Sequence, residues 1–317
     1  MKIVILDGYT TNPGDLSFSC LEKFGEVVSY DRTPYEKIVE RAKGAEVIIT
    51  NKTLLKAETL SKLPECKYIG LFSTGYDVVD LEYTDKHGIT VCNVPSYSTE
   101  AVAQMTFAHI LNIYNRVEHH SNRVHNGDWA NGVDFCFWNT PLFELKGKTL
   151  GLYGFGRIAV AVAKIALSFG MKVLAYSRSE KEFEGVEFVG KRELFENSDI
   201  LSLHVPLTPE TKNLINKETI SYMKDGVVLI NTSRGKVIDE DALNEALNSR
   251  KIYFAGLDVL GTEPPKKDNP LLSNPYCMIT PHIAWAAVET RQRLLGVVAD
   301  NLEAFLNGKP QNDVHSS

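Results

Sequence analysis

Short apolar and β-branched runs alternate with helix-length segments along almost the whole chain. Lys2–Leu6, Glu46–Thr50 and Lys67–Leu71 read as strands in the first third. The rhythm resumes at Thr149–Tyr153, Lys172–Tyr176, Asp199–His204, Val227–Asn231, Tyr253–Leu257 and Met278–Thr280. Strands interleaved with helices in this way predict an α/β fold, with parallel sheets assembled from βαβ units. Between the two groups, Ser98 is a candidate N-cap for a long helix, with Glu100 in the first turn where the helix dipole favours an anion. Ala101, Val102, Met105, Ala108 and Leu111 recur at helical spacing and form its expected buried stripe. Near the end, Leu294, Val298, Leu302 and Phe305 line one face of a second long helix that stops at Gly308 and Pro310. The second group of strands is complete before this helix, so it is expected to return to the first domain.

Length then sets the domain count. At roughly 150 residues per domain, 317 residues predict two domains. A chain that is 44% hydrophobic and 23% charged can bury a sizeable core, which excludes disordered, collagen-like and disulfide-scaffold classes. Lys plus Arg number 34 against 40 Asp plus Glu, a net charge of −6 without a long basic run. Neither nucleic acid nor an anionic membrane is therefore an expected partner. No apolar stretch approaches the ~18 residues that span a bilayer, and the Met1–Leu6 run is too short for a secretory leader. Five scattered cysteines (Cys20, Cys66, Cys92, Cys136 and Cys277), odd in number and without a CxxC, point to a reduced, cytoplasmic compartment. One segment stands apart. Between Asp128 and Phe143 lie Trp129, Phe135, Phe137, Trp138 and Phe143, in a chain only 9% aromatic. They either cover their own domain's core or form a subunit interface, where aromatics concentrate.

The chemistry gathers after the strands. Thr149–Tyr153 runs into Gly154-Phe155-Gly156-Arg157-Ile158-Ala159, the G-x-G-x-x-A dinucleotide fingerprint. Gly154 permits the tight turn, Gly156 lets the backbone approach a pyrophosphate, and Ala159 lets helix and strand pack closely. The following helix points its N-terminal N–H groups at the phosphates. His204-Val205-Pro206, Asn231-Thr232-Ser233-Arg234-Gly235, Asp258, Glu263 and His282 likewise follow strands. In an open α/β sheet that edge is where ligands sit. Arg234 alone could cap a helix, Glu263 could be a solvated turn residue and His282 a satisfied core histidine. Three such groups at strand ends favour an acid–base site for an anionic substrate. His119, His120 and His125 lack the i,i+4 spacing of helical metal ligands, and no metal is expected.

These stretches, with Thr280-Pro281-His282-Ile283-Ala284-Trp285, resemble in order and spacing the D-isomer-specific 2-hydroxyacid dehydrogenases over nearly the whole chain. His-Ile-Ala-Trp is most similar to the glycerate dehydrogenase (hydroxypyruvate reductase) branch. The resemblance implies two Rossmann-like, doubly wound parallel-sheet domains with a cleft between them. A flavodoxin-like substrate domain would comprise residues 1–98 plus 289–317, and a dinucleotide domain 99–288. It also implies a homodimer joined through a segment around 120–145. Arg234 would bind the carboxylate and keto oxygen of a small 2-keto or 2-hydroxy acid, a task suited to a planar guanidinium fork. His282 would protonate the keto oxygen as hydride arrives from a nicotinamide, and act as base in the reverse direction. An imidazole, with an unperturbed pKa of about 6.5, can do both near neutrality. Glu263 would orient it. The resemblance places Thr74, Gly75 and Tyr76 at a backbone site for the substrate carboxylate; Asn51, after another strand of the same domain, could face the same cleft, and Trp285 is a further candidate substrate contact. It places Asp258 near the nicotinamide carboxamide, and Thr232, Ser233, His204, Val205 and Pro206 along the cofactor.

One position departs from the NAD pattern. An acid about 20 residues past the fingerprint normally accepts hydrogen bonds from the ribose hydroxyls. Here the chain reads Ser177-Arg178-Ser179, with no acid before Glu180. Two hydroxyls and a guanidinium suit the 2′-phosphate of NADP(H), which is the expected cofactor, with NAD(H) the alternative. A competing reading is a corepressor-like, nucleotide-sensing binding protein on the same scaffold. D-lactate and formate dehydrogenase-like enzymes are alternatives within catalysis, and Glu263 beside His282 argues against the formate branch, whose histidine is partnered by glutamine.

Overall fold

Apolar strand residues that point alternately to opposite faces need cover on both sides, and both sheets receive it. The computed structural model describes residues 1–179 and 181–316. Glu180, the acid expected beyond the candidate phosphate loop, and the terminal Ser317 lie outside them. The chain divides into two units, Met1–Ser98 with Trp285–Ser317, and Thr99–Ala284. Among the described residues, no helix is long and apolar enough to cross a membrane.

The first unit holds strands β1 (Lys2–Ile5), β2 (Glu26–Ser29), β3 (Val47–Thr50), β4 (Tyr68–Leu71) and β5 (Thr90–Cys92), all parallel, in the order β2-β1-β3-β4-β5. That is the flavodoxin-like order. Val4, Leu6, Ile48, Ile69 and Leu71 bury on one face. Ile3, Ile5, Val47, Ile49 and Tyr68 bury on the other, beneath Leu294, Val298 and Leu302 of the Val288–Leu306 helix. The C-terminal helix thus closes the first sheet, as its apolar face requires. Arg291, 6% exposed, ties it down by giving two hydrogen bonds (2.8 and 2.6 Å) to the Asp15 carboxylate.

The second unit holds β6 (Thr149–Tyr153), β7 (Lys172–Tyr176), β8 (Val186–Phe188), β9 (Ile200–Leu203), β10 (Val227–Asn231), β11 (Ile252–Leu257) and β12 (Cys277–Ile279). Their order, β12-β11-β10-β9-β6-β7-β8, is the Rossmann arrangement with one further strand, and the direction of winding reverses between β6 and β9. The ladder aligns Tyr153 with Leu203, Leu203 with Asn231, Asn231 with Leu257, and Leu257 with Ile279. Gly154, His204, Thr232, Asp258 and Thr280 therefore leave the sheet along one edge.

Three strands escape the hydrophobic pattern. β2, β5 and β8 are three or four residues long and all lie at sheet edges, and β2 and β8 have no fully buried residue. The stripe expected on the Thr99–Asn115 helix also needs correction. The helix buries Val102, Ala103, Thr106, Phe107, His109, Ile110, Ile113 and Tyr114, whereas Ala108 is exposed and Ala101, Met105 and Leu111 are only partly covered. Apolar residues run right round this helix, so periodicity could not choose its face. Two polar side chains, Thr106 and His109, belong to the buried one.

Candidate active site

Asn231, fully buried at the end of β10, organises the first site loop. Its side-chain oxygen accepts from the Ser233 amide (3.0 Å) and hydroxyl (2.8 Å), and its nitrogen donates to the Arg234 carbonyl (2.9 Å). Arg234 is thereby presented in extended conformation with an exposed guanidinium. Gly235 follows because nothing else fits: a Cβ there would lie 1.9 Å from the carbonyl carbon of Leu260. The Arg234 loop is thus pressed against the loop after β11. In that second loop the Leu260 amide donates to Glu263 Oε1 (3.0 Å), and Glu263 Oε2 accepts from His282 Nδ1 (2.7 Å). Glu263 consequently sets the imidazole with its Nδ1 proton toward the carboxylate.

His282 sits at φ +54°, a left-handed conformation that a side chain adopts only at a cost of about 1–2 kcal/mol. Asp258 holds it there. The carbonyl of Asp258 accepts from the His282 amide (2.8 Å). Its carboxylate, 1% exposed, accepts from the amides of Ile283 (2.9 Å) and Ala284 (2.8 Å) and from the Thr280 hydroxyl (2.6 Å). The family resemblance sets Asp258 beside the nicotinamide. The structure turns its carboxylate inward, onto the backbone that carries His282.

Gly154 lies at φ +94°, and a Cβ there would come within 2.5 Å of the His204 carbonyl and 2.7 Å of Val205. At Gly156, by contrast, a Cβ would meet nothing within 4 Å, which leaves room for a phosphate. Arg157 opens the Arg157–Ser168 helix with no side-chain cap and no acid in its first turn, so its leading amides suit an anion. Ala159 is fully buried. These features fit a dinucleotide. Phe155 is buried and packs edge-on to Phe183 and Phe188, so it offers the loop its backbone rather than its ring. Ser177 and Ser179 face each other (Oγ–Oγ 3.5 Å) with Arg178 exposed between them. Lys181, which the sequence reading missed, reaches the Phe155 carbonyl (Nζ–O 2.6 Å) and sets a second cation at the fingerprint. No motif marks it.

The remaining candidates lie as follows. Pro206 is exposed, whereas Thr232 is 8% exposed and meets Thr106 (Oγ1–Oγ1 3.1 Å). In the first unit, the Asp7 carboxylate accepts from the Asn51, Lys52 and Thr53 amides, which fixes the loop after β3. Asn51 is 5% exposed and donates to the Thr10 hydroxyl (3.1 Å). After β4, the Thr74 hydroxyl donates to the Val94 carbonyl (2.8 Å), next to Gly75 and an exposed Tyr76. Trp285 packs edge-on to Tyr97.

His204 lies at the edge where β9 meets the fingerprint, its Nε2 2.9 Å from the Ser202 hydroxyl. Burial of the ring pushes its pKa down to about 4, so it is neutral in the folded protein. An unfolded histidine titrates near 6.5. The contribution of neutral His204 is therefore complete above about pH 6.5 and is lost as pH falls through about 4. The urea midpoint of the protein should fall more steeply between pH 6.5 and 4 than that of His204→Gln; parallel curves would contradict the depressed pKa.

Comparison with known proteins agrees with this geometry. Residues 107–284 match the profile of the D-isomer specific 2-hydroxyacid dehydrogenase NAD binding domain. The chain is 48% identical over 321 residues to a hydroxypyruvate reductase of Blautia hydrogenotrophica, covering 99% of this chain and all of that protein. It is 39% identical over 317 residues to a glycerate dehydrogenase of Methylorubrum extorquens, covering 99% of each. The crystal structure of the TT0316 protein from Thermus thermophilus superposes with a TM-score of 0.88 at 36% identity, covering 99% of this chain and all of that one. The chain belongs to the D-isomer-specific 2-hydroxyacid dehydrogenases, close to their glycerate dehydrogenase and hydroxypyruvate reductase branch, and is an NAD(P)-dependent oxidoreductase of small 2-keto and 2-hydroxy acids.

Proposed function

We propose that the enzyme reduces hydroxypyruvate to D-glycerate, with glyoxylate as a second substrate, and prefers NADPH to NADH. The observation that carries the chemistry is the 2.7 Å contact between Glu263 and His282 Nδ1, on a loop fixed by Asp258. The fingerprint loop, with Gly154, Gly156, Arg157 and Ile158, would hold the dinucleotide. His204, Val205, Pro206, Thr232 and Ser233 would line it. The chemistry a bound nicotinamide supplies is hydride, to C2 of the keto acid. As negative charge develops on the C2 oxygen, His282 delivers its Nε2 proton there, and Glu263 stabilises the imidazolium before transfer. Arg234 clamps the carboxylate and the same oxygen with its fork of N–H donors. In oxidation the proton returns to Nε2. Thr74, Gly75 and Tyr76 are proposed as substrate contacts on the family resemblance, with Asn51 proposed from its place after β3 and Trp285 from its place beyond His282. The three-carbon substrate is favoured by the 48% identity to a hydroxypyruvate reductase. A cytoplasmic location belongs to the same proposal, on the odd and scattered cysteines.

Three measurements test this reading. His282→Ala should lower kcat with hydroxypyruvate by roughly 10²–10⁴-fold, the usual contribution of a positioned acid–base group. Wild-type turnover in that variant at every pH would remove His282 from the mechanism, and a higher kcat/KM for pyruvate than for hydroxypyruvate or glyoxylate would overturn the substrate. For the cofactor, Arg178 lies exposed between two serine hydroxyls, with Lys181 at the fingerprint nearby in sequence. Hydrogen bonds to a charged group contribute about 1.5–3 kcal/mol. Arg178→Ala should thus reduce kcat/KM for NADPH about ten- to a hundredfold while sparing NADH, and an equal loss with both would refute the phosphate contact. The third concerns assembly. Phe143 packs edge-on to Tyr114 and Tyr253, whereas Val133 is fully exposed, Phe135 89%, Trp138 66% and Trp129 51%, and that exposure favours the interface reading. A homodimer through it should be visible by sedimentation at micromolar concentration, and Trp138→Glu should shift the mass toward the monomer. A wild-type monomer would count against it.

A further inference from the structure

Within the second unit, one buried side chain is still without a role. His109 is 2% exposed in the middle of the Thr99–Asn115 helix, on the face that meets the sheet. The approach is close: a Cβ on Gly256 of β11 would come within 2.8 Å of the His109 Cβ. Its Nε2 lies 3.1 Å from the Thr280 hydroxyl, and its Nδ1 is buried without a partner among the described residues.

The proton inventory gives this contact a direction. Asp258 Oδ1 already accepts the Ile283 amide, and Thr280 donates its single hydroxyl proton to the same oxygen at 2.6 Å. Thr280 can then only accept from His109, so His109 is the Nε2–H tautomer. Burial, which lowers its pKa, favours that neutral form. The result is a one-way chain from His109 through Thr280 to Asp258, the carboxylate that grips the amides on either side of the bond leading into Ala284. One turn earlier on the same face, Thr106 donates to the Val102 carbonyl (2.9 Å), which leaves its oxygen to accept from Thr232 at 3.1 Å. A single helix thus props two loops. Thr232 stands two residues before Arg234, and Thr280 two residues before His282.

We propose that His109 is a positioning residue: acting through Thr280, it fixes the Asp258 carboxylate and so holds His282 in the left-handed conformation that aims its ring at Glu263. It touches neither substrate nor reacting atoms. The inference rests on the acid–base role proposed for His282, and its test separates the two. His109→Leu removes the donor, whereas His109→Gln can return an N–H to the place of Nε2. In saturating cofactor and hydroxypyruvate, His109→Leu should lower kcat about tenfold, with both KM values within twofold of wild type, and His109→Gln should recover most of the loss. Thr280→Val should reproduce the leucine effect, and the double variant should be no slower than either single one, because both break the same chain. Equal kcat in wild type and Thr280→Val overturns the proposal, as does a glutamine variant no better than the leucine one. Should His109→Leu fail to fold, Thr280→Val and His109→Gln decide the matter. If His282→Ala turns over like wild type, the acid–base assignment falls first. If His282→Ala is impaired and the His109 and Thr280 variants are not, only the positioning role fails.

Discussion

In a sheet buried on both faces, each backbone donor and acceptor must find its partner within the ladder. In the second unit that requirement sets Tyr153, Leu203, Asn231, Leu257 and Ile279 in one row. Everything chemically active follows from it. Loops that leave a common edge one residue later can share a ligand, although Arg234 and His282 stand 80 and 128 residues beyond Gly154 in the chain. The reversal of winding between β6 and β9 opens space at the point where Gly154 rests on the His204 carbonyl. Parallel pairing thus converts sequence separation into proximity.

Upon that edge the loops are held by polar groups that have no access to water. A carboxylate as deeply buried as Asp258 is stable only when its oxygens are supplied with donors. Its donors are two amides and a hydroxyl from the segment Thr280–Ala284. The same bonds that satisfy Asp258 keep His282 at a positive φ, a strained conformation that persists because its surroundings over-determine it. Asn231 and Asp7 use the same device elsewhere, each a buried polar side chain that ties down the loop just beyond a strand. The proposed catalytic groups are left open: Arg234 and Glu263 are exposed and His282 is half-buried. Rigid buried anchors beneath accessible reactive groups are the division of labour that preorganised catalysis needs.

The exposed aromatics follow the opposite logic. Phe135 and Trp138 lie on a long segment with little buried apolar surface of its own, and no force within one chain keeps them in water. Their exposure is what favours the proposed subunit contact.

Much of this was legible in the amino-acid order alone. Nine of the strands, the fingerprint, the return of the C-terminal helix to the first sheet, and the loops bearing Arg234, Glu263 and His282 could be read from it. Each of those signals is local: a run of apolar residues, a glycine spacing, a charged group following a strand. Short edge strands such as β8 escaped because they bury too little to show a pattern. The face of the Thr99–Asn115 helix, the inward turn of Asp258, the cation of Lys181 at Phe155 and the burial of His109 were decided by tertiary structure. A helix apolar all round has no preferred face until a sheet is laid against it. A buried polar group likewise reveals its role only through its partners. Those partners, as with His109 and Thr280, stand 171 residues apart and meet only once the chain has folded.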